Sequence, residues 1–569
     1  SDTPVKIPEP FLPQNVNIMI GYGVTTKKPR PEVGTVTLGE DGNGLLDLRS
    51  LSDTKNIGIV RDLWADDYTP VTDSAYSFVI VGDTQMTVDF DPDNLHYIYD
   101  WILDNKETKN IQYVFGMGDI TNNSLDTEWS VAYEQITRLD GNVPYSLVIG
   151  NHDTSAGYNA TFNNETYKSM FDGFYSEDKI ENSYVTFTVG DVKYLHITLD
   201  WKASNAVLNW ASSIIEHYYD HLVIISTHAY LNNDGNLLTQ GESDDGSTNS
   251  GEQMWNKLVS RYENVFLVLS GHRFTTDLVY RQATGVHGNV VTEIMTNGQC
   301  IDLKNDAMGL ISILSFSEDG KTISVEYYST VYDRYFGKNS QFTLSVPEYN
   351  SENYEAYTPL YEVTDANGNT FTLSDERTPS LVFASIESGS TVKLLGDVTL
   401  NSTTTIINNI TIDLGGHKIT TVGRFNVKST FTVKNGTIVI DEKELVYVEE
   451  GNTKANVTFA NVDLVHTEKS AKKALAEVRD GSITLDNVRC TAENWKGTSN
   501  LLTVAARTKK VGQSIYITIQ NSNIDLGTSG CTVINFPTTS GETKGYTGYV
   551  TITNSTVKTS GKLLTAKTN

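Results

Sequence analysis

The tightest constraint in this chain is a motif that returns. A short β-run followed by Asn recurs as FTVKNGTI (431–438), VTFANVDL (457–464), ITLDNVRC (483–490), ITIQNSNI (517–524) and VTITNSTV (550–557), with a forerunner in ITIDLGG (410–416). Its asparagines, Asn435, Asn461, Asn487, Asn521 and Asn554, lie 26 to 34 residues apart. Short strands at that period describe stacked coils, each burying its apolar face on its neighbours. An Asn at a fixed turn can pass its amide to the Asn of the next coil. The competing reading is a set of independent hairpins with Asn–Gly and Asn–Ser turns; the regular recurrence favours the solenoid.

The front of the chain has another rhythm. From residue 76, apolar runs (Ser77–Val81, Ile111–Phe115, Tyr145–Ile149, Leu222–Ser226, Val265–Leu269) alternate with helical spacing at 93–105, 124–139, 203–218 and 251–262. That alternation predicts an α/β domain around a largely buried sheet. From 278 to 344 only β-runs follow, which predicts a second sheet of a sandwich. Residues 1–75 read as a small β-rich N-terminal segment. The expected division is 1–75, 76–348, a linker at 349–374, and 375–569.

Charge divides along the same line. Residues 1–350 carry 22 Lys and Arg against 48 Asp and Glu, while 351–569 carry 21 against 22. An acidic front repels polyanions, so no nucleic-acid polymer is expected as a partner, and it concentrates cations. No stretch of 18 apolar residues predicts a transmembrane segment. Three cysteines, Cys300, Cys490 and Cys531, are too few for a disulfide scaffold or a four-thiolate zinc site.

Five apolar runs end in polar, metal-ligating residue types: Gly82-Asp83-Thr84-Gln85, Gly118-Asp119 with Asn122, Gly150-Asn151-His152-Asp153, His228, and Gly271-His272. In open α/β sheets, sites form at the carboxyl ends of strands. Each motif alone is ordinarily a turn, a helix cap or a structural histidine. Their ordered succession is what those readings leave unexplained. The donors are oxygen and imidazole without thiolate, which fits Mn, Zn or Fe better than Ca or Mg.

The order Asp-x-Gln, Gly-Asp-x-x-Asn, Gly-Asn-His-Asp, His, Gly-His resembles the calcineurin-like metallophosphoesterases over residues 76–345. The resemblance implies a four-layer αββα sandwich with up to two divalent metal ions. It implies that Asp83 and Gln85 hold a first ion, that Asp119 bridges, and that Asn151, His228 and His272 complete a second. His152 would stand by the phosphate as general acid or positive partner, and Asp153 would orient its loop. Gln85 replaces the usual His of the first block, Phe274 the second His of the last, and Asn122 an acid that supports the catalytic His. The first ion is thereby left short of a ligand; Asp277, three residues beyond Phe274, is the nearest carboxylate. Residues 375–569 resemble, at the level of fold, the pectate-lyase-like right-handed parallel β-helix.

The expected function is a secreted phosphoesterase, diester favoured over monoester, acting through metal-activated water on a substrate carried by a glycan or cell-surface polymer. A catalytically weak adhesion protein is the alternative. A polysaccharide-active β-helix, with Asp413, Asp463, Asp486 and Asp525 at similar phases of the repeat, is the third. Trp129, Tyr158, Trp201 and Tyr230 are candidate stacking residues, and Asn232–Ser250 a candidate loop over the site. With no initiating Met and no basic, apolar leader, any signal peptide has been removed or was never there; few cysteines, abundant Thr, Asn, Ser and Tyr and a β-helix suit an extracellular bacterial protein. Oligomeric state and substrate-binding residues are not legible.

Overall fold

The computed structural model describes residues 64–240, 248–275, 277–299, 309–467, 473–495, 500–504, 514–528, 530–536 and 547–566, together with the backbone of five strands before residue 64. Three of those early strands, Val16–Tyr22, Glu32–Val36 and Thr54–Val60, pair into an antiparallel sheet. The chain forms two compact units, Ser1–Val207 with Tyr218–Glu355, and Leu208–His217 with Ala356–Asn569.

The first unit is built on two seven-stranded mixed sheets. In one, Tyr76–Val81, Ile111–Gly116 and Tyr145–Leu147 run parallel. In the other, Leu222–Thr227, Val265–Ser270 and Val290–Met295 run parallel. The facing sides share one apolar core, in which Phe78, Tyr113 and Phe115 meet Tyr194, Ile224, Phe266 and Leu269. Near-continuous apolar runs such as Val265–Ser270 suit strands buried on both faces. The outer face of the first sheet packs on the helices His96–Asn105, Asp126–Ile136 and Ser155–Phe162 through Ile98, Ile102, Trp129, Ile136, Tyr158 and Phe162. The run from 278 to 344 does not make a sheet of its own. Val279–Thr284 and Val290–Met295 extend the second sheet, whereas Leu310–Phe316 pairs antiparallel with Tyr76–Val81 in the first. The apolar pattern predicts strands but not partners, because both sheets offer equally buried edges.

The second unit is strand-rich, and its pairing is overwhelmingly parallel. One ladder runs through Thr391–Leu394, Ile410–Asp413, Thr430–Ile440, Asn456–His466, Ser482–Asp486, Ser514–Gln520 and Thr547–Thr553. A second runs from Thr404–Ile406 to Leu564–Ala566. The sheets are open. Register is set by alternation: Ile412, Val433, Phe459, Leu485 and Ile519 form one buried column, and Thr411, Thr432, Thr458, Thr484 and Thr518 form the column beside it on the other face. A slip of one residue would exchange the two columns. Residues 359–374, expected as linker, form a hairpin whose first strand pairs with Thr391–Leu394. Arg377, fully buried, donates from Nε to Asn209 Oδ1 at 3.0 Å within this unit.

The repeated asparagines all adopt left-handed backbone, φ between 48° and 62°. Asn487 Nδ2 donates to Asn461 Oδ1 at 2.7 Å and Asn554 Nδ2 to Asn521 Oδ1 at 2.8 Å. Between those two pairs the ladder is interrupted: Asn521 donates to Asp486 rather than to Asn487. Asn suits the position twice over, tolerating positive φ and handing on its amide. Asn487→Ala should lower stability by about 1–2 kcal/mol, and Asn487→Gly by less, because glycine accepts that backbone. Denaturant melts of the two variants check this; equal losses would remove backbone conformation from the explanation.

Candidate metal centre

Three parallel strands of the first sheet, and three of the four parallel strands of the second, bring their carboxyl ends to one site. Tyr76–Val81 leads to Asp83 and Gln85, Ile111–Gly116 to Asp119, and Tyr145–Leu147 to Asn151, His152 and Asp153. Leu222–Thr227 leads to His228 and Val265–Ser270 to His272. The sixth, Val290–Met295, leads to Asn297 and Gln299, which the sequence reading did not single out. The signal was present: an Asn-Gly-Gln directly after an apolar run has the same form as the other five.

Asp119, His228 and His272 place ligand atoms within 4.8 Å of one another. Asn151 Oδ1 joins them, 3.1 Å from His228 Nε2 and 2.8 Å from His272 Nδ1, and His228 Nε2 lies 3.3 Å from Asp119 Oδ2. Separations near 3 Å are those of neighbouring ligands around one small cation. His228 Nδ1 donates to the Met117 carbonyl at 2.7 Å, which fixes the tautomer and turns Nε2 to the cluster. Burial disfavours the His228 imidazolium, yet Asp119 and Asp83 lift its pKa to about 9. Burial likewise raises Asp119, but the charge and hydrogen bond of His228 and the amide of His152 outweigh it, so this carboxyl sits below its ordinary value. Burial, with His228 and Arg273, lowers His272 to about 4, leaving a neutral imidazole. A buried carboxylate, an amide oxygen and two imidazoles converging on one point fit a divalent transition ion.

The other expected residues lie around this cluster. Asp83 is buried, and its Oδ2 accepts from His272 N at 3.1 Å and Asn297 Nδ2 at 2.7 Å. Burial raises it well above its ordinary range; His228 pulls it back and Asp119 adds to the rise. Gln85 opens the helix Gln85–Phe90 and is buried. His152 is exposed and donates from Nδ1 to the Asn122 carbonyl at 2.8 Å. Asn122 thus serves through its backbone, while its side chain holds Asp89. Phe274 is 41% exposed. Asp277 accepts from Ser340 Oγ at 3.3 Å and supplies nothing to the cluster. Trp129, Tyr158 and Tyr230 are buried core residues, whereas Trp201 is half-buried under Lys202. Residues 241–247 of the Asn232–Ser250 loop, and Cys300, lie outside the described residues.

Asp413, Asp463, Asp486 and Asp525 do not converge. Asp413 and Asp525 accept from turn amides at Gly415 and Gly527, Asp463 pairs with Arg489, and Asp486 holds Asn521.

Residues 76–276 match the family model of the calcineurin-like phosphoesterases. This segment is a metallophosphoesterase domain. An uncharacterized protein of Bacillus subtilis (strain 168), YvnB, is 25% identical over 301 residues; the match takes in 49% of this chain and 22% of that relative's length. Among solved structures, the purple acid phosphatase PPD1 from yellow lupin seeds aligns with a TM-score of 0.33 at 14% identity, over 58% of this chain and 70% of that one. GAP50, the anchor in the inner membrane complex of Plasmodium, aligns with a TM-score of 0.34 at 15% identity, over 48% and 90%.

In the metallophosphoesterase domain, Asp153 ties two ligand loops together. Its buried carboxylate accepts from Gly150 N, Ile120 N, Thr121 N and Thr121 Oγ1 at 2.8–3.1 Å. Burial pushes it up to about 6, against the pull of those hydrogen bonds, so it is an anion at neutral pH. Asp153→Asn would turn an NH₂ group toward N–H donors and should cost roughly 2–3 kcal/mol. A thermal melt indistinguishable from wild type would show that the loops are held by something else.

Proposed function

We propose that this chain is a metal-dependent phosphoester hydrolase, acting on a phosphodiester carried by an extracellular polymer. The observation that carries the reading is the convergence of Asp119, Asn151, His228 and His272 on one point, with the exposed imidazole of His152 beside it. Those four residues would hold a divalent cation, which when bound supplies positive charge to a phosphate oxygen and acidifies water. Asp119 also accepts the His152 amide at 2.9 Å, so the residue that anchors the cluster sets the position of the candidate acid. Because the Asn122 carbonyl can only accept, His152 Nδ1 keeps its proton and Nε2 is the atom that can deliver one to the departing oxygen.

The second unit supports the appendage part of the proposal. Parallel ladders and stacked asparagines are the pairing a β-helix requires, and Tyr516 and Tyr549 stand exposed with rings stacked at 5.0 Å, as a glycan-binding surface would present them. Secretion rests on the sequence reading alone.

Asp119→Asn should lower turnover by at least ~10²-fold while the chain still folds, since one carboxylate both anchors the cluster and holds His152. His152→Ala should cost ~10²–10⁴-fold on substrates with alkoxide leaving groups and far less on nitrophenyl esters, which need no proton. The assay is a panel of phosphomonoesters and phosphodiesters with added Mn, Zn or Fe. Wild-type turnover in Asp119→Asn would sink the site; no hydrolysis of any panel member by the metal-loaded chain would favour a binding protein.

A further inference from the structure

The first ion of the expected pair lacks a ligand in the sequence, since Phe274 cannot donate. The sixth strand end supplies a replacement. Val290–Met295 runs parallel to Val265–Ser270 with Met295 opposite Ser270, so the chain beyond Met295 emerges beside the Gly271-His272 loop. There Asn297 Nδ2 donates to Asp83 Oδ2 at 2.7 Å, and Asn297 Oδ1 accepts the backbone N–H of Gln299 at 3.0 Å. Gln299 Nε2 reaches Asp83 Oδ2 at 3.4 Å, and its Oε1 accepts from Gln85 Nε2. A Cβ on Gly298 would lie 2.4 Å from Tyr327 Oη and 2.5 Å from Leu310 Cδ1, so any larger residue between the two amides would have to displace those side chains.

One atom in this group is unsatisfied. Gln85 Oε1 is buried and has no hydrogen-bond partner among the described residues. Reversing the amide would bury an unpaired NH₂ in its place, so either orientation costs roughly 1–3 kcal/mol unless something positive meets the oxygen. Asp83 also keeps acceptor capacity: its carboxylate offers about four lone-pair positions and receives three donors.

We propose that Gln299 is the missing donor of the first cation position, formed with Asp83, Gln85 and the shared Asp119, and that Asn297 positions both Asp83 and Gln299. The inference rests on the metal-dependent reading above. Every donor here is an oxygen, whereas the neighbouring position has two imidazoles. The pair is therefore unlike: a hard cation such as Mn²⁺, Mg²⁺ or Ca²⁺ belongs at Gln299, and a borderline ion such as Zn²⁺ at His228 and His272.

The test uses the full chain, stripped of metal, loaded with one equivalent of Zn²⁺ and titrated with Mn²⁺, free Mn²⁺ being read by its EPR signal. Wild type should take up one further Mn²⁺. Gln299→Met, similar in volume and without a hard donor, should weaken that uptake roughly tenfold or more while Zn²⁺ content stays unchanged. Asn297→Ala should weaken it less. Equal Mn²⁺ affinity in Gln299→Met and wild type, or no uptake beyond Zn²⁺ in wild type, would overturn the assignment. If Gln299→Met melts far below wild type, Gln299→His decides: a ligand position should shift its preference from Mn²⁺ toward Zn²⁺, and an unshifted preference overturns it. Phosphoester turnover is measured separately. A chain that binds both ions and cleaves no substrate refutes the proposed function and leaves this assignment standing. A chain fully active with Zn²⁺ alone, and taking up no Mn²⁺, does the reverse.

Discussion

Everything at the metal centre depends on how closely three loops approach Asp119. A Cβ on Gly150 would lie 2.2 Å from both the Asp119 backbone nitrogen and its Oδ1, and one on Gly118 would lie 2.9 Å from Gly150 N and His228 Nδ1. No side chain fits between these segments. Asp119 itself takes a left-handed backbone, φ 48°, as does His272 at 75°. Such conformations persist in non-glycine residues only where the surroundings over-determine them, and they cluster at functional sites. Here the surroundings are two sheets whose parallel strands all end on the same side.

That packing explains why so many charged groups can be buried together. Asp83, Asp119, Asp153 and His228 are each less than a tenth exposed. Burying a lone carboxylate is costly, and its usual response is to become neutral. Asp119 escapes because His228 pairs with it, and Asp153 because two loops donate to it. Among the described residues Asp83 accepts hydrogen bonds from neutral amides only, and burial raises its carboxyl well above the ordinary range. The cluster is thus balanced on one side, by His228, and short of positive charge on the other, by Gln85 and Gln299.

The two units obey one rule by different means. In the first, buried strands converge so that their ends form a site. In the second, parallel strands stack so that each side chain meets its counterpart on the next strand, and amides at Asn461 and Asn487 are satisfied within the ladder. The same aspartates that look like a catalytic series in sequence are used up in this stacking, Asp463 on Arg489 and Asp486 on Asn521.

The sequence by itself determined the residue types at five strand ends, the α/β alternation around them and the period of the asparagine repeat, because these are local: a turn, an apolar run and a polar ligand are neighbours in the chain. It did not determine which sheet Leu310–Phe316 would join, because its buried pattern fits either. Nor did it show that the Asn122 backbone rather than its side chain would hold His152, since every residue has a carbonyl and only folding aims one. The hairpin Lys179–Val189 with Val192–Leu199 also passed unread, its turn at Gly190-Asp191 being a weak signal beside long helices. Asn297 and Gln299 had to wait for the tertiary structure most of all. They are more than 200 residues from Asp83 and Gln85, and only parallel pairing of Val290–Met295 with Val265–Ser270 brings an unremarked Asn-Gly-Gln to the place left open by Phe274.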